Sequence, residues 1–336
     1  MGSVDSLELC CEISPGVYKF VLPLFGKKPG PVNSYLFTGK NMTLIDTGSL
    51  QTVDLLEKGF EKFGFSFNDL DRILFTHGHI DHCGGASRII KKAGKKIETL
   101  SHKEDKKRIE TGAQTKDETD QNFSRLMGIP EAYLEKFEGF KLFFQQMGEN
   151  CPVTSTLTDN QEIQLGDHRA KIISTPGHTM GSICFFIQDK NILFSGDHIL
   201  KHITPNAFVM LEDDQSLPVR KSQKEYYESI SRIEKINPRT VFPAHGESIT
   251  NVSETIEMYR TSFKERENKI LKILQSGVQS VYKIARKLFP DIGGERLPLD
   301  ISLAVSEVFT HLQILQEKSL VSFKMENTLK ILYQRE

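Results

Sequence analysis

Thr76-His77-Gly78-His79-Ile80-Asp81-His82 decides how this chain is read. Three histidines and an aspartate crowd into it, directly after the apolar Ile73-Leu74-Phe75. The apolar run predicts a buried strand, and Gly84-Gly85 just beyond the cluster predicts a loop opening into a helix. A strand ending in such a loop delivers its side chains at the carboxyl edge of a sheet, where open α/β folds bind ligands. Imidazole and carboxylate together suit zinc, with iron or manganese as competitors.

The same plan recurs along the chain. Met42-Thr43-Leu44-Ile45 ends at Asp46-Thr47-Gly48, and Val53, Leu56, Phe60 and Phe63 follow at helical spacing. Lys171-Ile172-Ile173-Ser174 runs into Thr175-Pro176-Gly177-His178, and Asn191-Ile192-Leu193-Phe194-Ser195 into Gly196-Asp197-His198. Thr240-Val241-Phe242-Pro243 runs into Ala244-His245-Gly246. Strand ends of this kind converge only if they share one sheet edge or two facing ones. That predicts two sheets with helices outside, a four-layer α/β arrangement. Asp46 has two compatible roles: capping the helix that follows, or orienting a metal ligand from behind.

The candidate ligands are His77, His79, Asp81, His82, His178, Asp197 and His245. They are too many for one tetrahedral zinc and suit two ions sharing a carboxylate. The natural split gives His77, His79 and His178 to one ion and Asp81, His82 and His245 to the other. Asp197 bridges, because a carboxylate has two oxygens to offer and an imidazole does not. Two ions roughly 3.5–4 Å apart would hold a hydroxide as nucleophile. Asp81 and Asp46 are therefore placed in the catalytic machinery. His198 and His202, which follow Asp197, are candidate hydrogen-bond donors or proton shuttles. No G-x-S-x-G elbow offers a serine instead.

Leu44-Ile45-Asp46-Thr47-Gly48, His77 through His82, Pro176-Gly177-His178-Thr179, Ser195-Gly196-Asp197 and Ala244-His245-Gly246 resemble, in order, the five motifs of the metallo-β-lactamase superfamily. The resemblance spans residues 17–250. It implies an αββα sandwich with a dinuclear site. His79 resembles the dizinc hydrolases, where flavodiiron relatives carry Glu. With its tail included, the chain is similar to β-lactamase-like hydrolases that end in a winged helix, some of them RNA-cleaving. Glyoxalase II is similar in the metal motifs but not in the tail.

The expected domains are 1–261, the catalytic part, and 262–336, a winged helix of three helices and a hairpin. An insertion at 103–150 departs from the resemblance. Residues 103–122 are strongly charged and predict a solvated helix or connection. Apolar residues from Phe123 to Met147 predict one or two amphipathic helices broken at Gly128-Ile129-Pro130. Their aromatics either join a core or subunit contact, or wall the metal site and favour a partly hydrophobic substrate.

The 336 residues are 38% hydrophobic and 26% charged with a formal net charge of −1, so no global field favours nucleic acid or membrane. Residues 1–20 lack a signal-peptide profile. The five cysteines form no C-x-x-C pair, which with the missing leader predicts a reduced, cytoplasmic setting. In the tail, Ile301–Glu317 contains no Lys or Arg, whereas DNA-reading helices present them. The expectation is a zinc hydrolase opening a small-molecule ester, lactone or thioester, with an RNA-directed phosphodiesterase as the alternative. The tail is expected to pack against residues 1–261 or across a homodimer.

Overall fold

The computed structural model describes residues 9–24, 29–112, 117–209, 220–293, 297–326 and 330–336, with the side chains of 117–121, 137–144 and 297–298 outside that description. Contacts divide the chain into two units. One is Met1–Gln114, Phe144–Pro205 and Ile230–Thr255; the other is Thr115–Phe143, Asn206–Ser229 and Ile256–Glu336. The second unit thus takes in 115–143 and 206–229 besides the tail, where the sequence suggested one boundary near residue 262.

In the first unit, a seven-stranded sheet runs in chain order through β1 (Cys10–Ser14), β2 (Val17–Leu22), β3 (Val32–Phe37), β4 (Thr43–Ile45), β5 (Arg72–Leu74), β6 (Glu98–His102) and β7 (Ser155–Leu157). Pairings are antiparallel as far as β4 and parallel from β4 to β7. The second sheet has β8 (Glu162–Leu165), β9 (His168–Ser174), β10 (Ile183–Ile187), β11 (Ile192–Gly196) and β12 (Thr240–Pro243), with only the β11–β12 pair parallel.

Strand period fixes how the sheets pack. Tyr35 and Phe37 of β3 enter the core between the sheets, while Leu36 enters the core under the helices. Phe194 meets the Tyr35 and Phe37 rings at centroid distances of 4.9 and 5.0 Å. On the other face of the first sheet lie α1 (Val53–Lys62), α2 (Ile80–Cys83), α3 (Ala86–Ala93) and α4 (Lys103–Thr111). Val53, Leu56 and Phe60 of α1 are fully buried, and Phe60 stacks on Phe20 at 5.3 Å. Each such side chain contributes about 1.5–3 kcal/mol. Beside the second sheet, Ile230 and Ile233 are buried and Arg232 donates to the Ser174 carbonyl at the end of β9.

The second unit contains α5 (Asp117–Leu126), most of α6 (Glu131–Gln146), the start of α7 (Ser222–Ile236), most of α8 (Val252–Leu274), α9 (Val281–Leu288) and α10 (Leu297–Glu317). A small antiparallel sheet completes it, β13 (Gln279–Ser280), β14 (Val321–Glu326) and β15 (Lys330–Arg335), in the order β13-β15-β14. Ile301, Val305, Val308 and Leu312 of α10 are buried in its core. Phe123 meets Phe309 edge-on at 5.8 Å, and Tyr282 N donates to the Met127 carbonyl at 2.9 Å.

That packing matches one of the two readings of the stripe, burial in a core. Met127 and Leu134 are buried in the second unit's core, and Phe123 and Tyr133 pack against it. Their stripe is satisfied there, within the second unit's own core. Phe137, Phe140, Phe143 and Phe144 have side chains outside the described residues. The break at Gly128 holds: its φ is +81, and an added Cβ would lie 2.8 Å from Ser280 Cβ, so the chain turns there against α9's N-cap.

Candidate metal centre

All the candidate ligands lie in the first unit, at the ends of β5, β9, β11 and β12. The structure gathers them into two groups, His77, His79, His178 and Asp197 in one, Asp81, His82 and His245 in the other. Asp197 also faces the second group: its Oδ2 is 3.4 Å from His178 Nε2, and its Oδ1 is 3.6 Å from His82 Nε2 and 3.4 Å from His245 Nε2. Asp81 Oδ2 is 3.7 Å from both of those nitrogens. Tetrahedral ligands about 2.0–2.1 Å from zinc stand about 3.3 Å apart, which is the spacing seen.

Hydrogen bonds behind the imidazoles decide which nitrogen is free. Asp46 Oδ2 accepts from His82 Nδ1 at 2.8 Å, so His82 Nε2 keeps its lone pair for the site. The same oxygen accepts from Thr76 Oγ1 at 2.7 Å, and Oδ1 from Thr76 N at 2.9 Å. Because a carboxylate only accepts, the Thr76 hydroxyl in turn accepts from His77 Nδ1, 3.1 Å away. His245 Nδ1 donates to the carbonyls of Gly30 and Pro31, both at 3.0 Å.

Three ring nitrogens then converge: His79 Nδ1 is 2.9 Å from His77 Nε2 and 3.1 Å from His178 Nε2. His82 Nε2, His245 Nε2 and Asp197 Oδ1 are buried without a hydrogen-bond partner among the described residues. Lone pairs aimed at one another and buried acceptors with no donor are costly, and a cation between them satisfies both. The donor set therefore fits a metal. Burial first, then the neighbouring imidazoles, holds His77 well below the ordinary histidine range, which suits a neutral ligand. Burial opposes a charge on His82, but Asp197, Asp81 and Asp46 together outweigh it and push that ring up.

Asp46 itself has φ of +57, a left-handed backbone that aspartate tolerates better than most residues. It does not cap α1, whose N-cap is Thr52. Of its two sequence-derived roles, only the orienting one is seen. His198 is buried at 1% exposure and His202 is exposed; neither belongs to a ligand group.

Asp105 is absent from the sequence reading. It lies in the charged segment expected to be solvated, yet it is 1% exposed. Its carboxylate accepts from Gly78 N at 2.8 Å, Thr179 Oγ1 at 2.7 Å and Gly181 N at 2.9 Å. The signal in the sequence is slight, one of two adjacent acidic residues, Glu104 and Asp105, in the first turn of α4.

Among known proteins, the probable metallo-hydrolase YqjP of Bacillus subtilis is 25% identical over 309 residues, covering 89% of this chain and 92% of its own. Thioesterase pkgB of Emericella nidulans is 24% identical, covering 80% and 63%. A crystal structure of a metallo-beta-lactamase family protein from Thermus thermophilus shares the fold, with a TM-score of 0.81, 22% identity and coverage of 97% and 100%. Residues 28–245 match the family model of the metallo-beta-lactamase superfamily. The sheet-edge histidines and aspartates all fall within or at the end of that match, and the chain belongs to the metallo-beta-lactamase superfamily.

Proposed function

We infer that the protein is a dinuclear zinc hydrolase acting on the carbonyl of an ester, lactone or thioester. Asp197 carries this reading, because its two oxygens face different ligand groups at 3.4–3.6 Å. When bound, the ions would supply Lewis acidity, bringing a water's pKa to about 7 and polarising an acyl oxygen. Everything else falls to the chain. Asp46, Thr76 and the Gly30 and Pro31 carbonyls keep His77, His82 and His245 in the tautomer that points Nε2 inward. His79 and Asp81 are the half-exposed members, one in each group, so substrate reaches the site on their side. His198 and His202 remain candidate hydrogen-bond donors near Asp197.

Carbonyl chemistry has support from the relative named a thioesterase. The three helices α8, α9 and α10 with β13 to β15 fit a winged-helix plan, but the buried side of α10 is apolar and Ile301–Glu317 lacks Lys and Arg. A helix used this way packs and does not read a groove. Free thiols throughout fit a reducing compartment such as the cytoplasm. The test is a hydrolysis screen of the zinc-loaded protein against lactones, thioesters, β-lactams and short RNAs. Turnover of an acyl substrate is expected. Cleavage of RNA alone would replace this reading with the phosphodiesterase.

A further inference from the structure

An acidic residue in the first turn of a helix ordinarily serves that helix's own dipole. Asp105 does something else. Its three hydrogen bonds reach two separate loops, one between His77 and His79 and one just after His178. Gly78 N lies between two ligands of the first group. Thr179 directly follows a third, and its hydroxyl is 2.8 Å from Ser182 Oγ, which also accepts from Thr179 N. Arg108, one turn further along α4, donates to the Gly78 carbonyl at 3.1 Å. Both glycines make room for this contact. A Cβ on Gly181 would lie 2.6 Å from Asp105 Cγ, and one on Gly78 would lie 3.3 Å from Asp105 Cβ.

Three rings of the centre are held from other directions: His77 and His82 through Asp46, His245 through the Gly30 and Pro31 carbonyls. His79 and His178 sit on loops 99 residues apart, and their ring nitrogens meet at 3.1 Å. A buried carboxylate with charge-assisted hydrogen bonds to both loops sets that distance. We propose that Asp105 is a positioning residue, a clamp that holds His79 and His178 at ligand spacing and so sets the affinity of the first ligand group alone. This rests on the dinuclear reading.

The test uses the full chain, stripped of metal and titrated with zinc against a chromogenic chelator. Asp105→Asn keeps the shape but turns one acceptor into a donor facing backbone N–H groups or a hydroxyl. It is expected to weaken one ion by about 10–100-fold, the usual cost of losing a partner behind a metal ligand, and to leave the other nearly unchanged. His79→Ala identifies the ion: in that background Asp105→Asn should have no further effect on the zinc that remains. Thr179→Val removes one of the three bonds and should act in the same direction more weakly. It replaces Asp105→Asn if that variant does not fold. Unchanged affinities, equal weakening of both ions, or an effect on the ion retained by His79→Ala would each overturn the proposal. Wild-type protein that takes up fewer than two ions counts against the dinuclear reading, whereas the clamp is judged by the difference between variant and wild type.

Discussion

Asp46 Oδ2 lies 2.8 Å from His82 Nδ1, and this oxygen also takes the Thr76 hydroxyl that backs His77. One carboxylate therefore aims an imidazole of each ligand group. Asp46→Asn replaces an obligate acceptor with a group that can present N–H to His82 or Thr76. Metal affinity should fall about 10–100-fold at both groups, measured by chelator competition. Loss confined to one ion would mean that the Thr76 link does not matter.

The second unit yields a prediction about stability. Phe309 is 4% exposed and meets Phe123 at 5.8 Å. Phe309→Ala should cost about 3–5 kcal/mol, read as a lowered denaturation midpoint of the unit. An unchanged midpoint would mean the insertion and the tail do not share a core.

Nucleic-acid binding provides a separate check on that unit. Ile301, Val305, Val308 and Leu312 are spent on packing. Titration with duplex DNA and single-stranded RNA at low and moderate salt should therefore show no submicromolar, salt-sensitive complex. Binding that vanishes on substituting basic residues of 256–336 would revive the phosphodiesterase.

Much of the site was legible because each motif is contiguous: an apolar strand, then a candidate ligand at four places and the orienting Asp46 at a fifth. Asp105 was not, because its meaning lies in partners 27 and 76 residues away and its own neighbours Glu104, Lys106 and Lys107 look solvated. Strand β6 was missed for a related reason. Its buried Thr99 and Ser101 leave no apolar period to read, and parallel neighbours on both sides hold it instead. The stripe from Phe123 to Leu134 announced burial but could not say against what, since periodicity reports a face and not its partner.

Thiol chemistry tests burial in the first unit. Cys11 is exposed, while Cys83, Cys151 and Cys184 are buried. Burial pushes the Cys151 and Cys184 thiols up to about 12. A thiol reagent at neutral pH should modify Cys11 rapidly and these three only after unfolding, followed by mass spectrometry of the labelled peptides. Fast labelling of Cys184 in native protein would contradict the packing of β10.

The most direct measurement of the central claim is metal content in active protein that has not been dialysed, for the wild type and for Asp197→Ala. Because Asp197 presents Oδ2 to one ligand group and Oδ1 to the other, elemental analysis should find two ions per wild-type chain, with Asp197→Ala losing metal and activity together. One ion or none in active wild-type protein, or full metal content in Asp197→Ala, would contradict it.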